Sequence, residues 1–355
     1  MKRSTIIDIC RALLFILMMN THALTIAGVP KNHWLLADCW LPNGWATVAF
    51  VVLSGFGVGY IYSARPADAA RDRAVRRRAL EIILVMFGSN IFFAALRQVA
   101  GGDAGAIASF GWWAGFLTLE TPWTISGVLM PTALVLLAFP YLYHWIKRSP
   151  WAVLAVLVAA RLLTDHLVRG AGTTGPDAGW LARFFLTEGF GGFPVLPFFL
   201  NGCLGIWLGM LRHRSERTWL VSMGILLALQ LVLYFGNTYF RDTLRPLGMG
   251  WLTPFGALGK FAWMFLMAYA VTLVGGRFLT GMLSLIGQHA LGSFVMHRVF
   301  LQGLSILLAG AAFHAMPVEV RYSTLWIGTL FLTWGLCISR RQVVWIDTSL
   351  RRFAL

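Results

Sequence analysis

The sequence contains few charged residues, and this shortage already excludes whole classes of protein. Only 12% of the residues are charged, whereas 58% are hydrophobic and the mean hydropathy is +0.71. A soluble globular protein has about 25% charged and about 45–50% apolar residues, so the composition excludes an ordinary soluble enzyme. It also excludes a disordered chain, because disorder requires low hydrophobicity.

Cysteine and acidic residues are scarce as well. The four cysteines are widely scattered and form no CxxC pattern, which argues against a disulfide framework and a zinc site, so we expect no metal. The 14 acidic residues stand against 29 Lys and Arg, and the net charge is +15. Such a charge would indicate nucleic-acid binding in a soluble protein. Here the cations lie in short loops between apolar segments, as membrane topology requires, and we expect no nucleic-acid partner.

Apolar segments of about 18–22 residues fill the chain, which is the length of a helix that crosses a bilayer of ~30 Å. Ten spans are predicted, at residues 5–28, 45–62, 79–100, 125–146, 151–168, 194–211, 218–236, 257–275, 286–312 and 322–338. The predicted fold class is therefore an all-α polytopic integral membrane protein with about ten transmembrane helices. Because these helices consume almost the whole chain, residues 1–355 are predicted to form a single transmembrane domain.

The distribution of the cations predicts the orientation of the spans. With the N-terminus placed in the cytosol, 18 of the 29 Lys and Arg fall on the cytosolic side, eight fall outside and three lie within spans. This asymmetry follows the positive-inside rule and predicts that both termini are cytosolic. The longer outer loops are rich in Gly, Trp and Pro, as expected of loops that bind an external substrate, and cover residues 101–124, 169–193 and 237–256.

The first span contains four polar side chains, those of Asp8, Arg11, Asn20 and His22. Arg11 and His22 are eleven residues apart, which places them within ~20° of one helix face and ~16 Å apart along the axis. Asp8 precedes Arg11 by one turn and is expected to pair with it. Two interpretations stay open: Arg11 and His22 snorkel to opposite interfaces, or His22 is a general base near the outer end of a cavity.

The pattern Asp8-x-x-Arg11, with His22 eleven residues after the arginine, resembles the first membrane helix of the membrane acyltransferase-3 family. That family includes O-antigen and exopolysaccharide O-acetylases and, more distantly, periplasmic glucan succinyltransferases. Three later segments resemble it too, namely the Leu-Ser-Gly-Phe stretch in 49–60, the Pro/Phe/Gly stretch 194–202 and the Gly…Ser…His stretch 286–297. Two features depart from its pattern: Glu81 stands where an arginine is expected, and no Glu follows Trp123 closely.

The resemblance implies an enzyme that moves an acyl group, taken to be acetyl, across the bacterial inner membrane. The co-substrate would be cytosolic acetyl-CoA or another acyl-CoA, and the acceptor a hydroxyl of an envelope or exported glycan or glycolipid. His22 would be the general base or a transient acyl carrier. Arg11, paired with Asp8, would orient the donor or balance charge.

Two further groups of residues have both a structural and a functional interpretation. The run Arg71–Arg78 is either a solvated topogenic cluster or a coenzyme A phosphate site, with Arg77 and Arg78 as main contacts and Arg73-x-x-Arg76 as a second register. Ser54 lies among glycines that permit close helix packing or seat the second helix against His22. His297 makes a structural hydrogen bond or assists catalysis.

Two other functions stay open from the sequence. One is a transporter or flippase for an amphipathic envelope molecule, whose intramembrane charges would form a relay. The other is a non-catalytic partner in glycan assembly, which would tolerate loss of His22. The acceptor glycan, the choice between acetyl and succinyl, and the oligomeric state are left open.

Overall fold

The computed structural model describes residues 5–30, 32–36, 45–100, 102–117, 123, 126–170, 185–186, 194–239, 255–308 and 311–339. Regular secondary structure in these ranges is entirely helical. The predicted all-α fold class is therefore confirmed.

Thirteen α-helices of at least five residues lie in the described ranges. The first seven are α1 (Thr5–Ile26), α2 (Trp45–Ser63), α3 (Ala69–Ala100), α4 (Phe110–Leu117), α5 (Ser126–Arg148), α6 (Pro150–Gly170) and α7 (Val195–Arg214). The others are α8 (Glu216–Tyr239), α9 (Gly256–Val274), α10 (Arg277–Gln288), α11 (Ala290–Leu307), α12 (Ala311–Ala315) and α13 (Val318–Ile338).

Nine of the described helices are long and apolar enough to cross a bilayer, namely α1, α2, α3, α5, α6, α7, α8, α9 and α11. They correspond to the first nine predicted spans, so the chain is a multi-pass membrane protein. The tenth predicted span, 322–338, lies within α13, a helix of 21 residues. Helix α13 contains Glu319, Arg321 and several hydroxyl side chains, and it is not among the described helices that meet the length and apolarity of a membrane span.

Helix α3 is longer than the predicted third span. It runs from Ala69 for 32 residues, so the arginine run lies on a helix and not in a loop. Asp68 explains the early start, because its carboxylate accepts a hydrogen bond of 2.7 Å from the backbone N–H of Arg71. Arginine is a good helix former, so the helix includes the arginine run even though the apolar pattern begins only after it.

The predicted ninth span, 286–312, is interrupted near its start. Helix α10 ends at Gln288, α11 begins at Ala290, and His289 between them has φ −104° and ψ 29°. Gly287 lies against α1, since a Cβ atom there would overlap the backbone carbonyl of Asp8. The membrane-spanning part of this region is therefore α11, while α10 packs along α1.

The described residues form two compact units, with boundaries at Phe50 and Gly259. In the first unit, made of residues before and after the second, α1 packs against α10, α11 and α13. In the second unit, residues 51–258, α5 packs against α3 and α7, and α7 also contacts α6 and α8. The single domain 1–355 stays a prediction.

Glycines join α2 to α7 within the second unit. A Cβ atom on Gly55 would overlap the Gly202 carbonyl, and one on Gly205 would overlap the Val52 carbonyl. Small residues let membrane helices approach to backbone contact. The packing interpretation of this glycine-rich stretch therefore holds.

Candidate active site

An ion pair lies near the start of α1. Arg11 Nη1 donates to Asp8 Oδ1 at 3.1 Å, as the one-turn spacing predicts. The Asp8 side chain is 2% exposed and that of Arg11 24% exposed. The arginine thus neutralises a buried carboxylate, which would be costly without a partner.

Two histidines meet further along the same helix. The ring of His22 stacks on the ring of His297 from α11, with centroids 5.5 Å apart and planes 17° apart. His297 is fully buried and His22 half-buried. Phe15 approaches the His297 ring edge-on at 5.2 Å, and Phe294 approaches it at 5.8 Å. The structure therefore brings together two residues that the sequence singled out separately.

The hydrogen bonding of His297 leaves one ring nitrogen unused. Its Nδ1 lies 3.3 Å from the Ser293 carbonyl, one turn earlier, which favours the tautomer with the proton on Nδ1. Its Nε2 is buried without a hydrogen-bond partner among the described residues. In the same ranges neither ring nitrogen of His22 makes a hydrogen bond. The pair therefore presents nitrogen atoms that can accept a proton.

A positive charge and a rigid anchor complete the surroundings of this pair. Arg298 follows His297 and acts electrostatically on both imidazoles. A cation at this place can stabilise negative charge that develops on a reacting oxygen. Asn20, two residues before His22, accepts a hydrogen bond from the hydroxyl of Tyr322 on α13. Because both partners are buried, this bond fixes the rotation of α1 and with it the direction of His22.

The predicted phosphate-binding arginines lie in the second unit and are engaged within α3. Arg78 Nη1 lies 2.8 Å from Glu81, and Arg77 Nε lies 3.6 Å from the same carboxylate. Arg73 donates to the Ala69 carbonyl at 3.3 Å, and Arg76 is exposed. Glu81 thus occupies much of the binding capacity that the sequence assigned to Arg77 and Arg78.

The comparison with known families decides the identity of the chain. Residues 5–339 match the family model of the acyltransferase-3 domain, described as an acyltransferase domain. The chain belongs to the membrane acyltransferase-3 family. No curated protein and no solved structure matches it. The family match spans both units and every predicted site residue, and it favours an enzyme over a transporter or a non-catalytic partner.

Ser54, a predicted accessory residue of the acyltransferase, lies on α2 in the second unit. It is half-buried and precedes the glycine contact with α7. The histidine pair lies in the first unit. Across the described residues no group of three or more His, Cys, Asp or Glu side chains could hold a metal ion.

Helix α13 of the acyltransferase carries a row of polar side chains that was not predicted from the sequence. Their spacing keeps them within about 80° of one helix face, and the row, here called the polar face of α13, consists of Tyr322, Trp326, Thr329, Thr333 and Cys337. Both ends of the row contact other helices. The Tyr322 hydroxyl donates a hydrogen bond to Asn20, and Cys337 Sγ lies 3.4 Å from Ser293 Oγ. The polar face therefore looks towards α1 and α11, the helices that carry the two histidines.

The two threonines of this face differ from other helical threonines. Thr132 and Thr272 donate to the carbonyl four residues earlier, at 2.8 Å in each case. Thr329 and Thr333 are fully buried, yet their hydroxyls have no partner in the described part of the chain. In the sequence, the only indication of this polar face was the spacing of the two threonines, which lie four residues apart and therefore on one side of the helix.

Proposed function

We propose that this acyltransferase moves an acyl group, acetyl in the first instance, from cytosolic acyl-CoA across the bacterial inner membrane. The acceptor is a hydroxyl of an envelope or exported glycan. The observation that carries the proposal is the stacked pair of His22 and His297 beside Arg298, inside a multi-pass acyltransferase. An imidazole with a free nitrogen is the group that such a transfer needs.

In the proposed reaction, His22 removes the proton from the acceptor hydroxyl while the hydroxyl oxygen attacks the thioester carbonyl. The charge on the resulting tetrahedral oxygen is stabilised by Arg298. The carbon–sulfur bond then breaks, and the proton passes from His22 to the leaving thiolate. The products are an ester of the glycan and free coenzyme A. The alternative order, in which His22 first takes the acyl group itself, uses the same imidazole nitrogen.

The surrounding residues hold the imidazole in place for this role. His297 supports one face of the His22 ring, and Phe15 and Phe294 in turn enclose His297. The hydrogen bond of Asn20 to Tyr322 fixes the helix two residues before His22. Orientation of this kind reduces the entropy cost of reaching the reactive geometry.

Arg11 and the α3 arginines are proposed to serve the donor. Arg11 lies ~16 Å before His22 along the same face of α1, where it orients the donor while Asp8 balances its charge. Guanidinium groups suit phosphate, which is the basis for assigning coenzyme A phosphates to Arg77 and Arg78, with Arg73 and Arg76 as a second set. With both termini in the cytosol, as predicted, the α3 arginines face the cytosolic acyl-CoA, and the acyl group passes from there towards an acceptor on the outer side.

The test is coenzyme A release from acetyl-CoA by purified protein in lipid nanodiscs, with a glycan acceptor supplied. His22→Ala is expected to abolish release while the protein stays folded, because a half-buried imidazole contributes little to a core of this size. His314→Ala on α12 is the matched control, since His314 is exposed in the same unit, and should keep full activity. Undiminished release by His22→Ala would refute the mechanism.

A further inference from the structure

A cavity of about 390 Å³ opens in the second unit, where α2, α5 and α7 end and α6 begins. Its volume lies within the range of about 300–1,000 Å³ that is typical of small-molecule sites. Its polar lining consists of Ser63, Tyr143, Lys147, His213 and Arg214. None of the described residues that line it is acidic, so the cavity is suited to an anion.

The two full charges that line this cavity are those of Lys147 and Arg214. Lys147 and Arg214 are exposed, and neither forms an ion pair with any residue in the described ranges. The predicted phosphate contacts Arg77 and Arg78 differ, since both engage Glu81. The cavity therefore offers a ligand the Arg214 guanidinium and the Lys147 ammonium, which lies 6.0 Å from the centroid of the Tyr143 ring in the same lining.

Neutral donors and flat rings lie beside these charges. Ser63 Oγ is buried without a hydrogen-bond partner among the described residues. The ring of Tyr143 is held by the Arg71 guanidinium, 4.1 Å from its centroid. Trp207 is fixed by a hydrogen bond of 2.9 Å from its Nε1 to the Pro150 carbonyl. A hydroxyl, two cations and rigid aromatic walls are the groups that bind a phosphate attached to a ring system.

The position of the cavity along the chain identifies the side from which a ligand enters. Lys147 and Arg214 lie in the last turns of α5 and α7, at the helix ends that the positive-inside rule places on the cytosolic side. We infer that the cavity binds a phosphate-bearing group from the cytosolic side. Given the proposed function, on which this step rests, that group is the nucleotide end of the acyl-CoA donor. An anionic lipid headgroup offers the same phosphate chemistry.

The experiment measures binding of adenosine 3′,5′-bisphosphate to the full chain in phosphatidylcholine nanodiscs. The double variant Lys147→Gln/Arg214→Gln is expected to bind about 100-fold more weakly, roughly tenfold for each lost charge-assisted contact. The control Arg148→Gln/Arg217→Gln removes the same charge from neighbouring exposed positions that do not line the cavity. It should bind within about twofold of wild type, because it keeps every cavity contact.

Phosphatidylglycerol nanodiscs separate the two sources of phosphate. In one outcome, wild type does not bind the bisphosphate, and only the cavity variant retains less phosphatidylglycerol. That outcome would confirm a phosphate site and assign it to a lipid headgroup. Equal behaviour of the two double variants towards both ligands would overturn the inference.

Coenzyme A release by the same samples separates this inference from the proposed function. Release by the cavity variant with an unchanged KM for acetyl-CoA would keep the proposed function and overturn the assignment of the cavity to the donor nucleotide. Selective loss of bisphosphate binding, with no release by wild type on any acceptor, would keep the cavity and refute the proposed function.

Discussion

Replacing His297 by Phe separates the shape of this residue from its chemistry. The phenyl ring keeps the stack on His22 and the contacts with Phe15 and Phe294, while both ring nitrogens are lost. Phenylalanine is larger than histidine by about one methylene group, so the fully buried site must make a small adjustment to accept it.

The stability change can be worked from the hydrogen bonds. Loss of the long Nδ1 contact to the Ser293 carbonyl, 3.3 Å, costs about 0.5–1.5 kcal/mol. Removal of the buried Nε2, which has no partner among the described residues, returns about 1–3 kcal/mol. The larger ring offsets part of this gain, so the variant His297→Phe should be as stable as wild type to within about 1 kcal/mol.

Activity should respond in the opposite direction. His297 Nε2 is the second nitrogen of the pair that can accept a proton, so its loss should lower kcat by about 10²-fold or more, with KM for acetyl-CoA unchanged. Coenzyme A release and denaturant unfolding of the same nanodisc samples measure the two effects. Full activity in His297→Phe would show that the ring alone supports His22, and a loss of several kcal/mol would show that Nε2 has a structural partner.

Three further predictions concern stability. Thr333→Val should leave stability unchanged or raise it, because the buried hydroxyl has no partner in the described ranges, and detergent unfolding measures this. Gly205→Ala should destabilise by about 1–3 kcal/mol in the same assay, since the added methyl overlaps a backbone carbonyl of α2. The pKa of Glu319 is lowered by a hydrogen bond from its own backbone N–H and by the His33 imidazole at 3.1 Å. This carboxylate therefore stabilises the fold above its ordinary pKa of 4.5, and that stability is lost as the pH falls through its lowered pKa. Glu319→Gln should flatten the acid limb of a pH–stability curve.

Matched variants control these measurements. Thr132→Val removes a hydroxyl that does donate to a carbonyl, so it should lose about 0.5–1.5 kcal/mol where Thr333→Val does not. Gly224→Ala adds a methyl with no neighbour within 4 Å and should be neutral or slightly stabilising, because alanine favours the helix. Equal losses for Thr132→Val and Thr333→Val, or for Gly205→Ala and Gly224→Ala, would contradict the contacts described above. An acid limb unchanged by Glu319→Gln would contradict the carboxylate's role.

The sequence by itself determined the membrane class, the helical fold and the family. Apolar length alone sets a bilayer-spanning helix, and the first nine spans follow from it. The pairing of Asp8 with Arg11 was also predictable, because residues three apart lie on one helix face. The contact of Arg77 and Arg78 with Glu81 was predictable for the same reason, since these residues are three and four apart. The family pattern had instead led us to expect an arginine at position 81.

Two boundaries escaped hydropathy for local reasons. The apolar pattern stops at residue 79, whereas α3 begins at Ala69 because Asp68 caps it. The interruption at His289 lies inside an apolar run, so the composition of that run does not reveal it. Caps and breaks depend on backbone geometry rather than on hydrophobicity.

Only the tertiary structure decided which side chains meet. His22 and His297 are far apart in sequence, and they stack because α1 and α11 pack together with α10, where Gly287 lets the backbones touch. The contacts of the polar face of α13 with Asn20 and Ser293 likewise join separate helices, and so does the cavity beside Lys147 and Arg214. Sequence spacing specifies what shares a helix face, while the partner of that face depends on how remote side chains fill the space between helices.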